Sequence, residues 1–316
     1  MVAFAVELRG AVAWVRYQHA PRNFLTARAL VELAALMRRL ERDDGVRVIV
    51  LGGQGADFML HLEVGELGAL VGQLPRLPGL VLRALLAAAR AAAWLCGRWP
   101  RLGALLLGRS ERAVLRSALI HMMVAFAAVQ RSSKVTIAAI NGSCVGGGLE
   151  LALCCDYRLM ADAAGARIGL PEILIGLVPG FGGSQRLLRA VGPQRALELL
   201  LAGELLGARE AAAAGVVSRA LPPERFAAEV DALAARLARR PPAAVAAMKR
   251  LVRRGAALPL GAALALEQRE VARLSWTAGA RAGLREYAAR VTVELGRPVG
   301  EQRTLAELAL AMDRER

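Results

Sequence analysis

Two short runs limit the folds open to this chain. "VRVIVLGG" (46–53) and "KVTIAAIN" (134–141) are apolar and β-branched over most of their length. Such runs read as strands buried on both faces. Directly after the second, "NGSCVGGGLELALCCDYR" (141–158) places Gly146, Gly147 and Gly148 in a row, then Glu150. The pattern predicts a strand ending near Ile140, a glycine run, and a helix starting near Leu149. Glycine serves where dihedrals are unusual or where a ligand must come close to the backbone. The first N–H groups of a helix have no intrahelical acceptor and attract negative charge. If that charge develops only in a transition state, the site is an oxyanion hole.

The rest of the chain is arranged around this point. "FAVELRGAVAWVRY" (4–17) alternates about Gly10 as a β-hairpin. "TARALVELAALMRRL" (26–40) puts Leu30, Leu33, Met37 and Leu40 on one helical face, with Thr26 as N-cap. From 149 onward the pattern turns helical: 184–192, 193–203, 208–217 and 222–240, then 243–316 with breaks near Gly255, Pro259 and Pro298. Strands are therefore expected early and helices late. Residues 64–133 are rich in Leu, Ala, Trp and Arg, and Arg83 and Arg90 share a helical face. This segment reads as a helical insertion packed on the body, as an interfacial helix or lid that touches membrane or a greasy substrate, or as a partner-binding segment.

Composition removes several function classes. The 316 residues are 56% hydrophobic with a formal charge of +15, enough for one large core and incompatible with disorder. Only Lys134 and Lys249 are lysines among 42 basic residues; the arginines are spread along the chain and aromatics are 4%. Without a basic stripe or stacking platform, nucleic-acid binding is not expected. Cys96, Cys144, Cys154 and Cys155 form no C-x-x-C, and His19, His61 and His121 have no metal spacing. No metal site is expected, and the cysteines fit a reducing, cytoplasmic setting. The histidines, with no evident serine or cysteine partner, are expected to be structural. The stretch 135–149 is the longest without charge, shorter than the roughly 18–20 apolar residues of a spanning helix. The start "MVAFAVELRG" does not read as a signal peptide.

Nucleotide fingerprints are missing: residues 146–151 read GGGLEL, neither G-x-G-x-x-G nor a Walker loop, and there is no G-x-S-x-G. Two acids stand out. Glu150 sits in the first turn of the expected helix, where it is either a dipole partner or a catalytic group. Glu172 follows Pro171 in "IGLPEILIGLVPGFGGSQRL" (168–187), among apolar residues. It is either a helix-start acid or a desolvated acid/base.

Taken together, "FMLHLEVGEL" (58–67), "NGSCVGGGLELALCCD" (141–156) and "GLPEILIGLVPGFGGSQRL" (169–187) resemble the crotonase, or enoyl-CoA hydratase/isomerase, superfamily. The resemblance covers roughly residues 1–67 and 120–270. It implies an α/β spiral of ββα repeats with a helical C-terminal trimerisation region. For this chain that means a core over 1–221, a helical insertion at about 68–120, and a C-terminal helical region over 222–316. It implies an acyl-CoA substrate and no separate cofactor, coenzyme A being part of the substrate. By motif position, the Leu62 and Gly147 amides form the oxyanion hole and Glu150 and Glu172 are catalytic. Retention of both glutamates implies a hydratase of 2-enoyl-CoA: Glu172 delivers and recovers the proton, and Glu150 orients and polarises the water. Double-bond isomerisation or another acyl-CoA reaction is the alternative, and a non-catalytic acyl-CoA-binding homologue is a third reading. Arg22 falls near where relatives contact the CoA phosphates; Leu60, His61, Glu63 and Gly146 border the thioester. A homotrimer or dimer of trimers is implied, with weak membrane-surface contact possible through the insertion. One departure stands out. Relatives read F-x-x-G-x-D where this chain reads F-M-L-H-L-E, so His61 replaces glycine and Glu63 replaces aspartate. The hole is expected to stay intact, either with a displaced donor or with a different bend at 61.

Overall fold

A computed structural model describes residues 3–72, 79–99, 117–298, 302–308 and 311. They fall into two compact units, Met1–Ala238 and Arg239–Arg316. The strands are β1 (Phe4–Arg9), β2 (Val12–Tyr17), β3 (Val48–Gly53), β4 (Asp57–Met59), β5 (Val135–Ile140), β6 (Ser143–Val145), β7 (Tyr157–Ala161), β8 (Ile168–Gly169), β9 (Leu205–Leu206) and β10 (Arg219–Leu221). The helices of the first unit are α1 (Ala27–Arg42), α2 (Val64–Gly72), α3 (Gly79–Arg98), α4 (Ala118–Arg131), α5 (Gly147–Ala152), α6 (Gly183–Val191), α7 (Pro193–Ala202), α8 (Ala208–Ala213) and α9 (Pro223–Ala238).

The strands make two sheets, ordered β1-β2-β3-β5-β7-β10 and β4-β6-β8-β9. In the larger sheet β1 and β2 form the expected antiparallel hairpin, turned at Gly10, and every later neighbour is parallel. In the smaller sheet β4, β6 and β8 are parallel. Consecutive strand pairs thus divide between layers. β3, β5 and β7 enter the large sheet, and β4, β6 and β8, each a few residues later, enter the small one. This is the spiral of ββ turns with helical returns. β3 and β5 are buried along nearly their whole length, as continuous apolar runs require. α1 covers the sheet with Leu30, Leu33, Met37 and Leu40 buried, and the Thr26 hydroxyl accepts from Ala29 N at 3.1 Å as its N-cap.

Two expectations are corrected. Strands do not stop before residue 149: β7 to β10 follow it. β8, β9 and β10 are two or three residues long, too short to show an alternating pattern, and "YRLMA" of β7 is mixed in character. The division expected at 221/222 falls instead at Ala238/Arg239. α9 buries Phe226, Val230, Leu233 and Ala234 across β2, β3, β5, β7 and β10. Its Asp231 accepts from the Trp14 indole at 2.8 Å and from Arg9 at 2.8 Å, tying the helix to the hairpin.

Between β4 and β5, where one helical return would suffice, the chain inserts α2 and α3 before α4. Ala93 and Cys96 anchor α3, while Val81, Leu85, Leu86 and Trp94 are exposed. Residues 100–116 of the expected insertion lie outside the described residues. No described helix is long and apolar enough to cross a membrane.

The second unit holds α10 (Pro242–Gly255), α11 (Leu260–Ser275) and α12 (Ala278–Leu295). Breaks occur at Gly255–Pro259, as expected, and also at Thr277, whose hydroxyl caps α12 by accepting from Ala280 N. α10 and α11 are clamped by Glu270, which accepts from Arg250 Nε and Nη2 and from Arg273 Nε, each at 2.9 Å.

Candidate active site

The site is built where β4 and β6 come to an end. After β4 the chain pairs with residues 23–25. Leu60 N donates to Asn23 O at 2.9 Å, Leu25 N to His61 O at 3.1 Å, and Glu63 N to Leu25 O at 2.8 Å. Leu25 and Leu62 form a parallel bridge. In such a bridge the residue bracketed by the two bonds turns its own N–H and C=O to the opposite side. Leu62 N–H therefore points away from Leu25, inward. Asn23 fixes the segment: its Oδ1 accepts from His19 N at 2.9 Å, and its Nδ2 donates to Gln54 O and Asp57 O, both at 2.8 Å.

The three glycines meet this segment from β6, each for a separate reason. Gly146 has φ +59°, and a β-carbon there would lie 3.0 Å from His61 Cβ and 3.2 Å from Glu172 Oε1. A β-carbon on Gly147 would lie 3.7 Å from Leu62 N. On Gly148 it would fall 1.9 Å from Met59 O, inside the backbone of the neighbouring repeat. Gly147 is the first residue of α5, so its N–H has no intrahelical acceptor. Among the described residues neither Leu62 N–H nor Gly147 N–H donates to any acceptor. Two free amides thus lie on neighbouring stretches of backbone.

Glu150 is the acid of the first turn of α5 and is 2% exposed. Its Oε1 accepts from Phe181 N and from Gly183 N, both at 2.8 Å. Burial pushes its pKa up to about 7, against the pull of those two amides. Glu172 opens the 3-10 turn Glu172–Ile175 after Pro171. Its Oε2 is buried with no hydrogen-bond partner, and burial raises its pKa too. The charge of Glu172 adds a smaller upward push to Glu150. An unpartnered buried carboxylate oxygen is costly unless water or substrate completes it.

The remaining predicted residues find varied places. No described residue other than glycine has positive φ, so His61 occupies an ordinary conformation and the bend at 61 needs no glycine. The His61 Nδ1 lies 2.7 Å from Leu62 O; a carbonyl only accepts, so Nδ1 carries the proton. Its ring packs on Phe24 with centroids 4.9 Å apart. Glu63 turns away to cap α2: its Oε2 accepts from Glu66 N at 2.9 Å, and these backbone N–H groups hold its pKa low. Leu60 is buried beside Met59. The exposed Arg22 forms a bidentate pair with Asp57, at 2.6 and 2.8 Å, which occupies two of its donor nitrogens. His121, expected to lack a serine partner, has one: its Nε2 lies 3.0 Å from Ser117 Oγ, one turn earlier on the same chain segment. No sequence pattern marks Phe181, Gly183 or Asn23 individually; the "PGFGG" run after Glu172 is the one signal that pointed at the first two.

A family model for enoyl-CoA hydratase/isomerase matches residues 111–296. A probable enoyl-CoA hydratase of Bacillus subtilis is 32% identical over 253 residues, covering 80% of this chain and 82% of that protein. A 2,3-dehydroadipyl-CoA hydratase of Escherichia coli is 38% identical over 162 residues, and the match spans 51% of this chain and 63% of that protein. A crotonyl-CoA hydratase of Syntrophomonas wolfei is 39% identical over 142 residues, spanning 45% of this chain and 54% of that protein. Among solved structures, an enoyl-CoA hydratase of Bacillus anthracis superposes with a TM-score of 0.73 at 25% identity, covering 91% of this chain and 96% of that one.

The raised pKa of Glu150 has a consequence for stability. Its folded pKa lies above the unfolded value, so its ionisation opposes folding: not below pH 4.5, increasingly toward pH 7, and fully above it. The difference is on the order of 2–3 kcal/mol for a group this buried. Glu150→Gln keeps an oxygen for both amides. It is expected to melt several degrees above wild type at pH 8, with the gap closing toward pH 5. Thermal melts across that range check this, and equal melting temperatures at pH 8 contradict it.

Proposed function

The chain belongs to the enoyl-CoA hydratase/isomerase family, and from that premise we propose that it adds water across the double bond of a 2-enoyl-CoA thioester. One observation carries the reading: the buried Glu150 carboxyl and the Glu172 carboxyl, one of whose oxygens is buried and unpartnered, accompany two unpaired amides on neighbouring stretches of backbone. In this reading the thioester oxygen lies between Leu62 N–H and Gly147 N–H. Water attacks C3, the double-bond pair moves onto that oxygen as an enolate, and the pair returns to C2 with a proton. Each such amide is typically worth about 10²–10³ in rate because it is fixed before charge develops. Glu172, whose pKa burial raises, gives a proton to C2 and takes one from the water. Glu150, with Oε1 held by two amides, presents Oε2 to orient and polarise that water. The substrate brings its own coenzyme A, and Arg22, exposed at the rim, offers its remaining donors to the CoA phosphates. The buried cysteines fit a cytoplasmic setting.

Glu172→Gln is expected to lower hydration of a 2-enoyl-CoA at least ~10³-fold while acyl-CoA binding stays within a few-fold. Loss of the enoyl-thioester ultraviolet absorbance and ligand titration measure the two. Activity within tenfold of wild type sinks the assignment, and turnover of 3-enoyl but not 2-enoyl esters makes the protein an isomerase.

The family's acyl-CoA enzymes are generally oligomeric, and an apolar patch supports a homotrimer or dimer of trimers here. Ile173, Leu174, Ile175 and Val178 follow Glu172 and are 40–75% exposed, beside Leu197 and Leu201 of α7. Such a patch on a soluble surface marks an interface. Leu174→Asp is expected to shift the assembly toward monomers in light scattering; an unchanged mass removes this face from the interface.

The insertion supports weak contact with an anionic membrane surface. α3 exposes Leu85, Leu86 and Trp94, carries Arg83, Arg90 and Arg98, and has no acid. Sedimentation with phosphatidylserine vesicles is expected to show binding that falls with added salt and is lost in Trp94→Ala/Leu85→Ser; no binding at low salt refutes the contact.

A further inference from the structure

The doublet Gly182-Gly183 in "VPGFGGSQRL" separates two opposite charges. Gly182 has φ +95°, and a β-carbon on it would lie 2.4 Å from Arg186 Nη1, so the guanidinium rests on the bare backbone there. A β-carbon on Gly183 would lie 2.9 Å from both Cγ and Oε1 of Glu150, so the carboxylate rests on the next residue. One glycine seats the cation and its neighbour seats the anion.

Arg186 engages two partners at once. Its Nη1 donates to Phe181 O, and its Nε and Nη2 donate to Gln130 Oε1 at 3.1 and 2.9 Å. Gln130 belongs to α4, and Phe181 also meets α4 through an edge-on contact with Phe126, centroids 6.3 Å apart. The loop is thereby fixed to a separate helix. The peptide so held, through Phe181 O, lies between the two that matter to Glu150: Phe181 N and Gly183 N, on either side of it, are the donors to its Oε1. We propose that Arg186, braced by Gln130, is a positioning residue for the Glu150 carboxylate, holding the peptide that joins the two donors that orient it. This rests on the catalytic reading of Glu150 given above.

The arrangement has a readout that packing alone would not move. The charged groups acting on Glu150 are Glu172, from the 3-10 turn, and Arg186, from α6. On β4, packed against α5, Asp57 is tied to Arg22. The two amides and the Arg186 charge all favour the ionised form of Glu150. Releasing the loop removes these together.

The test is an NMR titration of isotope-labelled glutamate carboxyls in the full chain, with the Glu150 signal assigned by its loss in Glu150→Gln. In Arg186→Gln the Glu150 midpoint is expected to rise by about half a pH unit or more, and in Gln130→Ala by a smaller amount. Arg186→Lys, whose single ammonium cannot span both partners, is expected to fall between Arg186→Gln and wild type. With an enoyl-CoA substrate, kcat at neutral pH is expected to fall about tenfold with KM within twofold, the acidic limb moving to higher pH. A Glu150 midpoint unchanged in folded Arg186→Gln, or in Gln130→Ala should the first variant not fold, overturns the proposal. If the wild type hydrates no enoyl-CoA while the midpoint still moves, the brace stands and the hydratase reading fails.

Discussion

The site depends on which way one peptide faces. Leu25 takes up the hydrogen-bonding groups on either side of Leu62, through His61 O and Glu63 N, and leaves the Leu62 amide with nowhere to turn but inward. A backbone donor without a partner is normally removed from protein interiors, because leaving it unmade is expensive. Here the surroundings enforce it. Asn23, with three bonds into the adjoining backbone, prevents the segment from relaxing toward a better-satisfied geometry. The second donor, at Gly147, can approach only because the stacked repeats come within contact of each other's main chain.

The carboxyls repeat the same logic in another currency. Glu150 and Glu172 are withdrawn from water, and both are pushed toward their neutral forms by that withdrawal. Glu150 keeps access to the ionised form through two amides, while one oxygen of Glu172 has no compensation at all. Two acids of one chemical type are thus placed in different states of readiness by their surroundings. Fold stability and chemical competence pull against each other at these positions, as they commonly do where strain is stored for function.

Much of this was legible in the sequence. β3 and β5 declared themselves by unbroken apolar character, α1 by its stripe and cap, and the hairpin by Gly10. The glycine run and its acid pointed at the candidate site, and motif resemblance added Leu62 and Glu172 as candidates. What could not be read was set by contacts distant in sequence. β8 and β9 are two residues each and exist only because a neighbouring strand end lies alongside. α9 belongs with the sheet because Asp231 meets Trp14, over two hundred residues away. The Glu63 carboxylate is also used by the next helix, and two of the Arg22 nitrogens are taken by Asp57. Local pattern cannot tell such prior commitments from vacancies.

His61 has an implication beyond its own contacts. Because the main chain there follows an unstrained path, nothing in the backbone dictates which amino acid stands at that point, while the donors beside it are fixed by Leu25 and by the stacked strands. The molecule therefore separates the two unpaired amides from the side chain beside them. Residue 61 is a place where the side chain can change without a change of backbone conformation.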